Sequence, residues 1–242
     1  MKNNIPNFLT ILNLIIGFYC IINIISGEAV SSILFLFYFC LLLDYLDGFF
    51  ARKLNIVSEF GKQIDSLADL VSFGVLPSTV MYFYFEKMYD IEYLKYLSFL
   101  ILIFSVIRLA KFNTSENNNN FFEGLPTPAN ALFFISLANY DGIYFSLINQ
   151  YLVIFSIVIF SFLMISNFKF MSLKFNGFDI KNNIEKYLLL SISFCLLITQ
   201  GDSILFFIVF IYVFYSFSKT LISRLFLKLI LSFLVIILFD FT

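Results

Sequence analysis

The sequence contains no histidine and no tryptophan. Without histidine, a Ser-His-Asp triad, a Cys-His pair and a His-ligated zinc site are all excluded. Any metal chemistry must therefore rest on carboxylates and suit a hard cation such as Mg2+ or Mn2+. The missing tryptophan reads as compositional drift, since 36 phenylalanines supply ample apolar surface. Charge is also scarce. Only 13% of the 242 residues are charged, against about a quarter in a soluble domain. The formal net charge of −1 argues against nucleic acid as a partner. Cys20, Cys40 and Cys195 are widely separated inside apolar runs and read as small hydrophobes.

Apolar residues are what the chain has in abundance. They make up 61% of it, and the mean hydropathy is +0.94, which places the chain in the membrane class. Apolar stretches run near residues 8–26, 30–46, 64–85, 93–112, 128–147, 150–168, 187–200 and 203–218, with a further one near 225–241. Counted against the roughly 20 residues that a helix needs to cross a bilayer, these predict an all-α polytopic protein with eight or nine spans. The stretches 187–200 and 203–218 are short for a crossing. The first stretch lacks a small-x-small cleavage site followed by a soluble domain, and reads as a retained span. No internal repeat is visible.

Charge placement predicts the orientation. With the N-terminus cytoplasmic, Lys2, Arg52, Lys53, Lys62, Arg108, Lys111, Lys169, Lys174, Lys181, Lys186, Lys219, Arg224 and Lys228 fall on the inner side. Only Lys87 and Lys95 fall outside, close to Glu86, Asp90 and Glu92. This is the asymmetry of the positive-inside rule. Two inner loops stand out: 113–125, with the run Asn117 to Asn120, and 169–186, which reads as an amphipathic connector at the headgroup level.

The chemistry concentrates where the second stretch ends and the third begins. Asp44 and Asp47 lie three apart, and Asp65 and Asp69 four apart, so each pair projects from one helical face. Two successive helices joined by a short connector form an antiparallel hairpin, which brings the four carboxylates to one depth. Carboxylates at the edge of a bilayer cost a few kcal/mol each, and four together repel one another. Two divalent ions roughly 3.5–4 Å apart would resolve both problems and clamp a pyrophosphate during in-line displacement. Gly48 and Ala51 permit close approach, and Arg52 can neutralise phosphate charge.

These residues, in the pattern D-x2-D-G-x2-A-R-x8-G-x3-D-x3-D, resemble the signature of the CDP-alcohol phosphotransferase family. Asp44, Asp47, Gly48, Ala51, Arg52, Gly61, Asp65 and Asp69 match every fixed position. The resemblance implies a six-helix catalytic core over residues 1–175, here followed by two or three additional C-terminal transmembrane helices over 176–242. It implies a homodimer with the site open to the cytoplasm, and the lack of a visible organellar targeting segment points to a bacterial cytoplasmic (inner) membrane. Asp44, Asp47, Asp65 and Asp69 would be metal ligands, and Asp69 also the catalytic base. Gly48, Arg52, Ser58, Asn7 and Thr10 would contact the CDP-lipid, although Asn7 and Thr10 read equally well as a helix N-cap.

Further segments resemble the branch of that family that uses L-serine as acceptor. They are Pro6-Asn7-Phe8-Leu9-Thr10, Leu12-Asn13-Leu14, Gly17-Phe18, Asp65 to Gly74, Arg108 to Thr114, Gly124 to Asn130, and Met164 to Asn167 leading into Lys169 and Lys174. That resemblance implies transfer of the phosphatidyl group of CDP-diacylglycerol to L-serine. Arg108, Lys111 and Asn113 are the candidate acceptor-binding residues, the alternative being positive-inside anchors. Another acceptor, glycerol 3-phosphate or an inositol phosphate, would bring an additional phosphate and call for more cationic side chains than Arg108 and Lys111 supply. A divalent-cation transporter is the alternative from another class, but it would scatter its acidic residues over several helices.

Overall fold

The computed structural model describes residues 5–54, 56, 58–89, 92–114, 122–140, 150–170 and 205–221. Helix α1 (Ile5–Ile25) is followed by α2 (Val30–Lys53). Between them, Gly27 adopts φ 87°. Its amide donates to Ile24 O and that of Glu28 to Asn23 O. This is a Schellman closure, which favours a residue without a Cβ at that position. Arg52 and Lys53 close the last turn of α2, where positive charge complements the helix dipole.

The third crossing, Glu59–Met88, is one continuous apolar helical span built of α3 (Glu59–Asp69), a π-helical turn over Leu70–Val75, and α4 (Leu76–Met88). Ser58 caps α3 by accepting a 3.0 Å hydrogen bond from the Gly61 amide. Pro77 accounts for the wide turn. Its ring would clash with the carbonyl four residues back, Phe73, and a π-turn opens the backbone at that point. A 3-10 turn (Glu92–Leu97) then leads into α5 (Ser98–Thr114), followed by β1 (Phe122–Glu123), α6 (Thr127–Ala138), α7 (Gln150–Ile165), β2 (Lys169–Phe170) and α8 (Leu205–Leu221). The two short strands pair antiparallel, Phe122 with Phe170 and Glu123 with Lys169.

The architecture is an all-α polytopic membrane protein, as the hydropathy pattern predicts. Four helical stretches of the described residues are long and apolar enough to cross a bilayer, and Thr127–Ala138, Gln150–Ile165 and Leu205–Phe217 are shorter apolar helices. The predicted stretches 187–200 and 225–241 lie outside the described residues, as does the end of 128–147. The predicted third stretch, 64–85, is shorter at both ends than the observed span.

Buried side chains form two apolar clusters. One joins Cys20, Ile33, Phe37, Cys40, Phe73 and Leu76 between α1, α2 and the π-turn. The other joins Met81, Ile101, Phe134, Ile157 and Phe160 with Phe206 and Tyr212 of α8. Phe8, Ile15 and Phe18 on α1, Phe35 on α2, and Phe155 and Phe162 on α7 point outward, as suits a surface solvated by lipid with its backbone bonded within helices.

Helix α1 is the spine of the catalytic half. It packs on both α2 and α3, which make few direct contacts with each other. The approach is closest at Gly17, where a Cβ would overlap the Ser72 side chain. Ser72 Oγ donates to Asn13 O at 3.2 Å across the same contact. We expect Gly17→Val to lower the midpoint of thermal unfolding in detergent by several degrees, since overpacking costs about 1–3 kcal/mol. An unchanged midpoint would mean that α1 and the π-turn separate freely.

Candidate metal centre

Because α2 and α3 run in opposite directions and α1 lies against both, their acidic faces meet in a cleft. Asp44, Asp47 and Asp65 each offer a carboxylate oxygen, and these three oxygens lie within 4.8 Å of one another. Asp69, 9% exposed, lies one helical turn beyond Asp65 and meets Asp44. The four expected carboxylates are thus together, Asp47 and Asp65 toward the connector between α2 and α3, and Asp44 and Asp69 about one turn farther from it.

Few protein donors satisfy this cluster. Thr10 Oγ1 lies 2.7 Å from Asp47 Oδ2 and 3.0 Å from its own helical Pro6 carbonyl, so a single proton serves two acceptors. Asp65 Oδ1 and Asp69 Oδ1 are buried without a hydrogen-bond partner among the described residues. Arg108 is a near electrostatic neighbour of Asp69 and Asp44. Even so, the only ion pair within 4.0 Å among the described residues is Lys95 with Glu86, on the opposite side. Buried carboxylates left so short of donors require cations. An all-oxygen donor set fits a hard divalent ion. The residues present therefore fit a metal.

The expected CDP-lipid contacts gather at the mouth of the same cleft. A Cβ on Gly61 would lie 3.1 Å from Ser58 Oγ and 3.3 Å from Asn7 Oδ1, so these three residues meet at the start of α3. A Cβ on Gly48 would lie 3.2 Å from Arg52 Nη1. The missing side chain at residue 48 leaves room for the exposed guanidinium to fold back along α2. Thr10, by contrast, is buried and turned toward Asp47, so it orients a carboxylate instead of reaching outward.

The three acceptor candidates have different surroundings. Arg108 is buried at 9% exposure, and its Nη1 donates to Thr127 Oγ1 at 3.3 Å. Lys111 is exposed and donates to Asn167 Oδ1 at 2.9 Å, tying α5 to the end of α7. Asn113 accepts from Ser66 Oγ at 3.0 Å and donates to Gln63 Oε1 at 3.4 Å, while its carbonyl accepts from Lys62 at 3.0 Å. Asn113 thus fastens the end of α5 to α3. Two residues escaped the sequence reading as site residues: Thr127, which bonds Arg108, and, one turn on along α6, the fully buried Asn130. Their i, i+3 spacing inside Gly124 to Asn130 was the available signal.

Comparison with known proteins follows the same lines. Residues 3–173 match the family model described as CDP-alcohol phosphatidyltransferase. The chain is similar to proteins named CDP-diacylglycerol–serine O-phosphatidyltransferase in three organisms. It is 40% identical to that of Bacillus subtilis over 127 residues, covering 52% of this chain and 70% of the relative. To that of Helicobacter pylori it is 35% identical over 191 residues, covering 77% and 78%. With that of Methanocaldococcus jannaschii the identity is 36% over 169 residues, covering 69% and 73%.

Proposed function

The chain belongs to the CDP-alcohol phosphatidyltransferase family, and on that footing we propose that it transfers the phosphatidyl group of CDP-diacylglycerol to the hydroxyl of L-serine, giving phosphatidylserine and CMP. Relatives named for this reaction, matched over most of their length, favour serine as the acceptor. The observation that carries the reading is the donor-poor nest of four carboxylates on α2 and α3.

Divalent-metal dependence is general in this family, and a cluster of three acidic residues is present here. We assign Asp44, Asp47, Asp65 and Asp69 as ligands of two ions, Mg2+ or Mn2+, which would polarise the pyrophosphate and stabilise charge on the departing CMP. Asp69 takes the proton of the serine hydroxyl as that oxygen forms its bond to the lipid-linked phosphorus. The bond from that phosphorus to the CMP oxygen breaks, and CMP leaves with the electron pair. Arg52 compensates phosphate charge at the mouth, with Gly48, Ser58 and Asn7 beside it, while Thr10 holds Asp47 in place. Arg108 neighbours Asp69 and Asp44 without an ion pair to either within 4.0 Å, which favours its engaging a substrate that bears negative charge.

The protein is multi-pass. The distribution of Lys and Arg supports a cytoplasmic mouth, and the bacterial relatives a location in the cytoplasmic membrane. The matched range 3–173 supports a catalytic core over 1–175, with 176–242 as additional helices; a homodimer rests on the resemblance alone. The test is to incubate membranes containing the protein with CDP-diacylglycerol and radiolabelled serine, glycerol 3-phosphate or inositol phosphate, each separately. Label from serine should enter lipid with equimolar CMP. Label entering lipid only from one of the phosphorylated alcohols would replace serine as the acceptor, and cation flux without CMP release would defeat the enzyme reading.

A further inference from the structure

On the acceptor side of the carboxylates lie buried polar atoms to which the metal centre gives no partner. Arg108 Nε and both side-chain polar atoms of Asn130 are buried without a partner among the described residues. Asn130 has no exposed surface, and Phe134, one turn on along the same face of the helix, is equally buried and apolar. A buried, unpaired amide is costly, and a ligand would recover that cost. Thr127, the Arg108 hydrogen-bond partner, sits one turn before Asn130 on α6, so the two residues share a face.

A helix packed on α6 comes from outside the matched range 3–173. Helix α8 packs along α6 and against β2. Phe206 meets Phe133 and Tyr140, and Tyr212 stacks near Phe170. Tyr212 is buried at 6% exposure and is a near electrostatic neighbour of Arg108.

We propose that Asn130 selects the acceptor, its carbonyl oxygen receiving the ammonium of an α-amino acid whose carboxylate lies on Arg108. This rests on the serine reading and names the residue that enforces it. The chemistry matches group by group. Arg offers donors only, whereas Asn offers both a donor and an acceptor. A zwitterion needs both, and a phosphorylated alcohol has no ammonium for the acceptor to receive. The hydroxyl then extends toward Asp69, which neighbours Arg108.

The test compares L-serine with 3-hydroxypropionate, which is serine without its ammonium, in full-length enzyme and in Asn130→Ala. Binding of CDP-diacylglycerol is followed separately as its upward shift of the thermal midpoint. The unaltered enzyme should prefer serine in kcat/KM by about ten- to hundredfold, the worth of one charge-assisted hydrogen bond. In Asn130→Ala the serine value should fall to that of 3-hydroxypropionate through KM, with the CDP-diacylglycerol shift retained. Should Asn130→Ala fail to fold, Asn130→Leu, which keeps the shape and removes the acceptor, is read the same way. Equal losses for both acceptors, loss of the CDP-diacylglycerol shift, or no loss at all would assign Asn130 to structure and overturn the inference. An unaltered enzyme that ignores serine would sink the acceptor reading itself, and this inference with it.

Discussion

Asp69→Asn is expected to lower turnover by about 10²- to 10⁴-fold, the usual worth of a positioned general base. The substitution preserves shape and removes the ability to take a proton. Asp69 also has one oxygen buried and unpartnered among the described residues. Asp44, Asp47 and Asp65 keep their mutual geometry without it. The upward shift of the thermal midpoint by CDP-diacylglycerol should therefore survive in the variant. Measuring CMP release and that shift on the same preparation separates lost chemistry from lost binding. Turnover within threefold of the unaltered enzyme would remove Asp69 from its assigned role.

Exhaustive chelation with EDTA is expected to abolish activity, and added Mg2+ or Mn2+ to restore it. A second readout needs no turnover. A metal bound only by the folded state stabilises it by about 2.7 kcal/mol at a concentration one hundred times its dissociation constant. Titrating Mg2+ or Mn2+ into the chelated protein should raise its thermal midpoint, because the cation relieves repulsion among four closely placed carboxylates. Asp47→Asn removes one of the three oxygens that lie within 4.8 Å of one another, so the metal-induced rise should shrink markedly. Full activity after chelation, or a midpoint indifferent to metal, would contradict the assigned ligand set.

The carboxylate centre was legible in the sequence because helical periodicity is local. Asp44 with Asp47, and Asp65 with Asp69, share helix faces whatever surrounds them, and the short connector brings the two pairs together. The sequence left open how they are brought together. Helix α1 packs on α2, on α3 and on the π-turn, where Gly17 meets Ser72. The expected hairpin is therefore a cleft, with room between its arms. The π-turn was legible only in hindsight, from Pro77 eight residues after Asp69.

Residue roles away from the carboxylates were less legible, because a polar side chain at a helix end suits either a substrate or a neighbouring helix. Thr10 proved to face Asp47. Asn113 and Lys111 bond to α3 and to the end of α7. Arg108 remained buried beside Thr127 with a donor left over. Nothing in the pattern of α8 announced that Tyr212 would lie near Arg108, since that proximity depends on packing between residues about a hundred positions apart.

By itself the sequence determined a bilayer-spanning helical chain and a compact set of carboxylates suited to a hard cation, because hydropathy and helical spacing act over one or two turns. Tertiary structure decided which polar groups are consumed in holding helices together and which are left buried and unpaired for a ligand. That division depends on how distant helices pack, and it is what turns a motif into a pocket.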